Sequence, residues 1–254
     1  MFDIIHGLTA DLQIIKRITQ DVIKDFVDDG VIYLELRTTP LKLIISIDRK
    51  RGKEQAEENL ELAVEAKKDH PGIVTGIDFS GLPGAGDIDD FLPILEKARS
   101  CGFPLSVHCA EIPDERETEK ILRIKPERLG HGTCIHPDAG GSDKLWNLLL
   151  DYSIPIELCM TSNVKTGTVV KYENHHFDYL QKHGHPIMLG TDDKGVFSTT
   201  LSEEYCIAAK TFGLNIEQLW QLSYDSISYS FANESEKTKL TQTLMEWKQN
   251  MMTK

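Results

Sequence analysis

The chain has 254 residues, of which 40% are hydrophobic and 27% charged, and its 28 basic against 40 acidic side chains give a net charge of −12. That composition fits a folded globular protein, its acidity argues against a nucleic-acid polymer as partner, and no apolar run reaches the roughly 20 residues of a membrane span. The length suits one (β/α)8 barrel of roughly 250 residues, so 1–254 is read as a single domain.

Thr9 is placed to cap a helix over Ala10 to Asp29, with Ile15, Ile18, Val22 and Phe26 on one face and Gly30 just past its end. Val31–Arg37 (VIYLELR) and Leu43–Asp48 (LIISID) read as strands, separated only by Thr38 to Lys42. Parallel neighbours need a crossover of about a dozen residues or more. The two runs therefore form a hairpin, or one is displaced, or a helix is missing between them. Glu54 to Asp69 reads as a helix stopped by Pro71-Gly72, and Val74–Phe79 as the next strand. A helix over Ile88 to Cys101 leads to the strand Leu105–His108. Arg128–Gly130, Ile156–Leu158 and Ile187–Gly190 complete the strands, with Ser142 capping a helix that carries Leu145, Leu148 and Leu149. From Ser202 the pattern is helical almost to the end. Short apolar strands alternating with amphipathic helices give an α/β fold with a parallel sheet. Seven strands are legible in place of eight, which predicts an incomplete TIM barrel. No strand is followed by the Gly-x-Gly-x-x-Gly of a dinucleotide fold.

Polar residues gather just after the strands, at Asp48, Ser80, His108, His131, Thr161 to Asn163 and Thr191 to Asp193. In a barrel these positions form the rim that carries active sites. His108 can bind a metal through a neutral imidazole, and Glu111 can move protons. His131 lies between Gly130 and Gly132, which give its ring room. Asp192 and Asp193 repel each other unless a cation or donors hold them. Each alone also fits a structural role; together they fit a hydrolytic metal site of the kind Zn²⁺ forms. His183 and His185 precede a strand and read as a loop at the opposite rim, while His175-His176 reads as solvated. His70 and His136 look like loop residues, and His6 stays ambiguous. No Gly-x-Ser-x-Gly elbow points to a serine hydrolase, and the His-x-Glu with Pro-Cys-x-x-Cys of cytidine deaminases is absent. The opening stretch, Met1 to Arg17, lacks the layout of a signal peptide. Five scattered cysteines without Cys-x-x-Cys read as reduced thiols in the cytosol.

Five segments resemble the adenosine/AMP deaminase family: SGLPG at Ser80–Gly84, SVHCAE at Ser106–Glu111, RLGHGT at Arg128–Thr133, ELCMTSNVKT at Glu157–Thr166 and GTDDKGVFST at Gly190–Thr199. Asp21–Pro40 and Leu201–Leu214 resemble its nucleotide-acting branch. The resemblance implies a (β/α)8 barrel, one zinc, and hydrolytic removal of an amino or methylamino group from purine C6, leaving IMP from a nucleotide. It places His108 and Asp192 on the zinc, Glu111 as proton donor to ring nitrogen N1, and His131 and Asp193 on the attacking water. Gly81 would meet the purine edge, and His6, Thr38, Thr39, Pro40 and Asp48 would line the sugar and phosphate side. The implied partner is a small purine nucleotide or nucleoside, with no membrane, and a monomer.

The chain departs from the family pattern twice. Met1 falls after the place of the first strand, whose His-x-His supplies two zinc ligands. A helix and an arginine suited to phosphate are missing between Pro40 and Leu41. With only His108 and Asp192 left of the usual ligands, zinc should bind weakly, and little or no turnover is expected of these 254 residues. Two other readings remain: an adenosine deaminase, and a non-catalytic remnant that keeps a purine pocket.

Overall fold

The computed structural model describes residues 12–36 and 42–252. Thr9, His6 and Thr38 to Pro40 lie outside the described residues. The first helix, α1, spans Leu12–Asp28 and is followed by a turn at Gly30, whose φ of +81° suits a glycine.

Six strands follow in chain order: β1 (Leu43–Asp48), β2 (Val74–Ser80), β3 (Leu105–Cys109), β4 (Arg128–His131), β5 (Ile156–Leu158) and β6 (Ile187–Leu189). They form one parallel sheet in the order β1 to β6, each beside the next. The predicted strand over Val31–Arg37 is not formed across its described part. Leu36 alone pairs, in an isolated parallel bridge to Leu43. So short a connection cannot turn the chain round for a longer parallel ladder, and the seven strands read from the sequence become six among the described residues.

The crossovers are helical: α2 (Gly52–Asp69), α3 (Ile88–Ser100), α4 (Glu115–Ile124) and α5 (Asp143–Tyr152). After β5 come α6 (Met160–Thr166) and α7 (Phe177–Lys182). After β6 come α8 (Lys194–Phe197), α9 (Leu201–Phe212), α10 (Ile216–Tyr229) and α11 (Glu234–Met252). Side-chain caps start most of the longer ones. Asp87, Asp114 and the expected Ser142 each accept from a backbone N–H in the first turn. Thr200 with Glu203 and Asn215 with Gln218 form full capping boxes. Among the described residues no helix is long and apolar enough to cross a membrane.

The two faces of the sheet differ. Ile47, Ile77, Phe79, Val107, Leu129 and Ile156 are buried with Leu60, Leu95, Ile121 and Leu149 from the helices in one apolar core. The other face is polar. Ser46, Asp78, Ser106 and Arg128 stand side by side in register across β1 to β4. Ser46 Oγ donates to Asp78, and Ser106 Oγ to Glu157 on β5. Arg128 is 2% exposed. Its Nη1 donates to Glu35 Oε2 over 2.6 Å, and its Nε lies 2.7 Å from Glu157 Oε1. The Phe231 ring covers the guanidinium at 3.7 Å, and Nη1 also reaches the Tyr229 carbonyl. That ring fits because residue 76 is glycine: a Cβ there would come within 2.5 Å of it.

Removing one member of such a group leaves a buried charge uncompensated. Arg128→Ala is expected to destabilise the fold by about 3–5 kcal/mol, read as a shift in the urea midpoint. A loss below about 1 kcal/mol, the range of an exposed pair, would contradict the arrangement.

Candidate active site

Ala110, His131 and Asp192, each just after or at the end of a strand, have φ of +55°, +62° and +53°. A left-handed residue other than glycine costs about 1–2 kcal/mol, and such outliers gather at functional sites. The loops are tied together here: Gly132 N–H donates to the Cys109 carbonyl, and Cys134 N–H to that of Ala110.

These turns bring the predicted residues to one place. His131 Nε2 lies 3.8 Å from Asp192 Oδ2 and 3.9 Å from Glu111 Oε2. The rings of His108 and His131 are 5.0 Å apart. Ser162 Oγ donates to Asp192 Oδ2 over 2.6 Å and fixes that carboxylate. Asp78 stands behind His108, with Oδ1 3.2 Å from Nδ1. A carboxylate behind an imidazole orients the ring and raises its basicity as a ligand. Asp78 is held in turn by Ser46 and Ser80. Gly130, expected to give His131 room, serves His108 instead: a Cβ there would sit 3.0 Å from the His108 ring. Burial pushes the Glu111 carboxyl above its ordinary range; His108 opposes this, and the Asp192 charge adds to it.

Gly81 and Asp48 also come together. Gly81 has φ +108°, and a Cβ on it would meet Asp48 Oδ1 at 2.2 Å. A cleft lined by Ser80, Gly81, His108, Glu111 and Ile112 opens beside this pair. Asp193 is exposed and heads α8.

The donor chemistry fits a metal ion. The ligand atoms of His131, Cys159 and Asp192 lie within 4.8 Å of one another, and the Asp78-backed His108 adjoins them. Of these groups, the His108 imidazole and the Asp192 carboxylate are nitrogen and oxygen donors of the kind zinc takes.

Two features were not legible in the sequence. Asp78 is one polar letter inside an apolar strand. His175 and His176, expected to be solvated, are 1% and 4% exposed. Asn163 joins His131 to His175, and His176 bonds the His131 carbonyl. Burial lowers both imidazoles, His176 to about 4 and His175 well below its ordinary value. Their charged neighbours in sequence, Lys171 and Glu173, suggested a solvated stretch, but the pair faces inward.

The adenosine deaminase family profile matches residues 39–247. A zebrafish (Danio rerio) protein called N6-methyl-AMP deaminase is 41% identical over 285 residues, covering 99% of this chain and 82% of that protein. The alignment is longer than the 254-residue chain, so it has gaps on this side. The human protein of the same name is 41% identical over 94% of this chain and 77% of its own length. Among solved structures, that of Arabidopsis ADAL complexed with IMP superposes with a TM-score of 0.89 at 34% identity, covering 96% of this chain and 81% of that one.

Gly130→Ala should push the His108 ring away by a few tenths of an ångström and weaken any metal held there, which metal titration by calorimetry would measure. Glu111→Gln tests the half-buried carboxyl through stability. Because its folded pKa is raised, the native Glu111 favours the fold at low pH, and that contribution is lost as pH rises through the folded value. The variant should therefore have the higher melting temperature at neutral pH, with the gap closing as pH falls. A variant less stable than the native chain at neutral pH would contradict it.

Proposed function

The chain belongs to the adenosine deaminase family, and we propose that it acts hydrolytically on N6-substituted adenine nucleotides, turning N6-methyl-AMP into IMP and methylamine. The observation that carries this reading is the half-buried Glu111 carboxyl, its proton affinity raised by its surroundings, beside His131 and Asp192 in a cleft that Gly81 also lines. Relatives named for N6-methyl-AMP support the choice of substrate.

We assign zinc as the cofactor, with His108 and Asp192 to hold it. A bound zinc lowers the pKa of water to about 7 and so supplies the nucleophile. The chain's own groups do the rest. Gly81 presents its backbone to the purine edge. Glu111 gives its proton to N1, which makes C6 electrophilic. His131 and Asp193 hydrogen-bond the attacking oxygen. As that oxygen bonds to C6, the C6–N6 bond breaks, the amine leaves with a proton, and C6 keeps the oxygen. Asp48 lies beside Gly81 and, with His6, Thr38, Thr39 and Pro40, is assigned the sugar and phosphate. We place the work in the cytosol, where cysteines scattered without a Cys-x-x-Cys motif persist as thiols, and on a monomer.

The test is zinc content of the purified chain together with turnover of N6-methyl-AMP and of N6-methyladenosine, followed by absorbance. Chelator-sensitive turnover that favours the nucleotide is expected, at the low level that a zinc held by only two protein ligands allows, with Glu111→Gln lowering kcat about a further 10²–10⁴-fold. Preference for the nucleoside would overturn the assigned substrate. Purine binding without zinc or turnover would favour the non-catalytic reading.

A further inference from the structure

A chain of hydrogen bonds runs from a peptide group to His131, and each link fixes the next. Phe177 N–H donates to His175 Nδ1 over 3.1 Å. A peptide N–H can only donate, so His175 Nδ1 is bare and its proton sits on Nε2. His175 Nε2 lies 3.1 Å from Asn163 Oδ1 and donates to it. The other end of that amide, Nδ2, is a donor only. It reaches Thr168 Oγ1 at 3.2 Å and His131 Nδ1 at 3.2 Å. Thr168 suits the same direction, since its hydroxyl can donate to the Asn163 backbone carbonyl at 3.1 Å while Oγ1 accepts. His131 Nδ1 therefore accepts, and the proton of the neutral ring is on Nε2, the atom that faces Glu111 and Asp192.

We propose that His175 and Asn163 are positioning residues that hold His131 in its Nε2–H tautomer, so that His131 donates a hydrogen bond to the oxygen attacking the purine and does not take a proton from it. The identity of that oxygen rests on the deaminase reading; the tautomer does not. Burial keeps the relay intact: Asn163 and His175 are each 1% exposed, and His175 resists protonation. His176 stacks on His175 at 4.2 Å. Its Nε2–H donates to the His131 carbonyl over 2.7 Å, which pins the left-handed backbone beneath the ring.

The assignment has consequences for proton flow. A ring that already carries its proton on Nε2 cannot act as general base through that atom. The proton lost by the attacking water therefore leaves by a route other than His131 Nε2. His131 instead stabilises charge that grows on the oxygen as it bonds to C6, the task of a preorganised donor.

The experiment is a long-range ¹H–¹⁵N spectrum of the full chain labelled at histidine nitrogens, with His131→Asn and His175→Gln used for assignment. His131 and His175 are both expected as Nε2–H tautomers; an Nδ1–H signal at His131 in the native chain overturns the proposal. His175→Leu removes the donor to Asn163 Oδ1 and frees the amide to turn over. A mixed His131 tautomer is then expected, with kcat down about 10-fold and KM within about twofold, whereas His175→Gln, which keeps an N–H, restores both. A His175→Leu chain that loses stability while His131 stays Nε2–H would reduce His175 to a packing role and overturn the relay. A native chain with the expected tautomer and no turnover would leave the relay standing and count against the deaminase reading alone.

Discussion

A guanidinium lies beneath the sheet at the first residue of β4, and distant parts of the chain are arranged to neutralise it. Arg128 meets Glu157 from β5, Glu35 from the segment before β1, and the Tyr229 carbonyl and Phe231 ring from beyond α10. Gly76 on β2 leaves the space that the ring fills. One cation therefore fixes the relative positions of segments far apart in sequence. Replacing a buried ion group by apolar side chains of similar shape is often neutral or stabilising. The value of this one is better sought in register, since an apolar contact would tolerate a slip of the Glu35 segment that a paired guanidinium does not.

The polar layer under the sheet and the candidate site are continuous. Asp78 belongs to both: it shares its level with Ser46, Ser106 and Arg128, and it backs the His108 ring. In so dry a setting each charge acts more strongly on the next than it would in water. Glu111 shows the result, since burial raises its proton affinity while His108 limits the rise. Left-handed residues at 110, 131 and 192 add a conformational cost at the rim, which the apolar core on the other face of the sheet must offset.

Much of this was legible in the sequence. The apolar runs of β2 to β6 show as strands because they are buried on one face by helices and on the other by the chain itself. Asp48, His108, Glu111, His131 and Asp192 stand out because they follow those runs, whereas Gly81 is implied only by the family resemblance. The rest was hidden for physical reasons. Val31–Arg37 has the composition of a strand, yet within its described part Leu36 alone pairs. α4 is two to three turns of mostly charged residues with only Thr118, Ile121 and Leu122 buried, too short for a period to stand out. Asp78 and the pair His175-His176 carry no local sign of burial, because what buries them is remote in sequence.

The hydrogen-bond chain that ends at His131 begins at the N–H of Phe177, and a backbone amide is supplied by every residue type except proline. The starting point of the site's protonation pattern is thus not encoded by any side chain. It does not titrate, it survives nearly every substitution at its own position, and it leaves no mark in a comparison of amino-acid identities. Two enzymes could differ at residue 177 and still inherit the same imidazole tautomer, whereas two that agree there could diverge once a loop moves that peptide by an ångström.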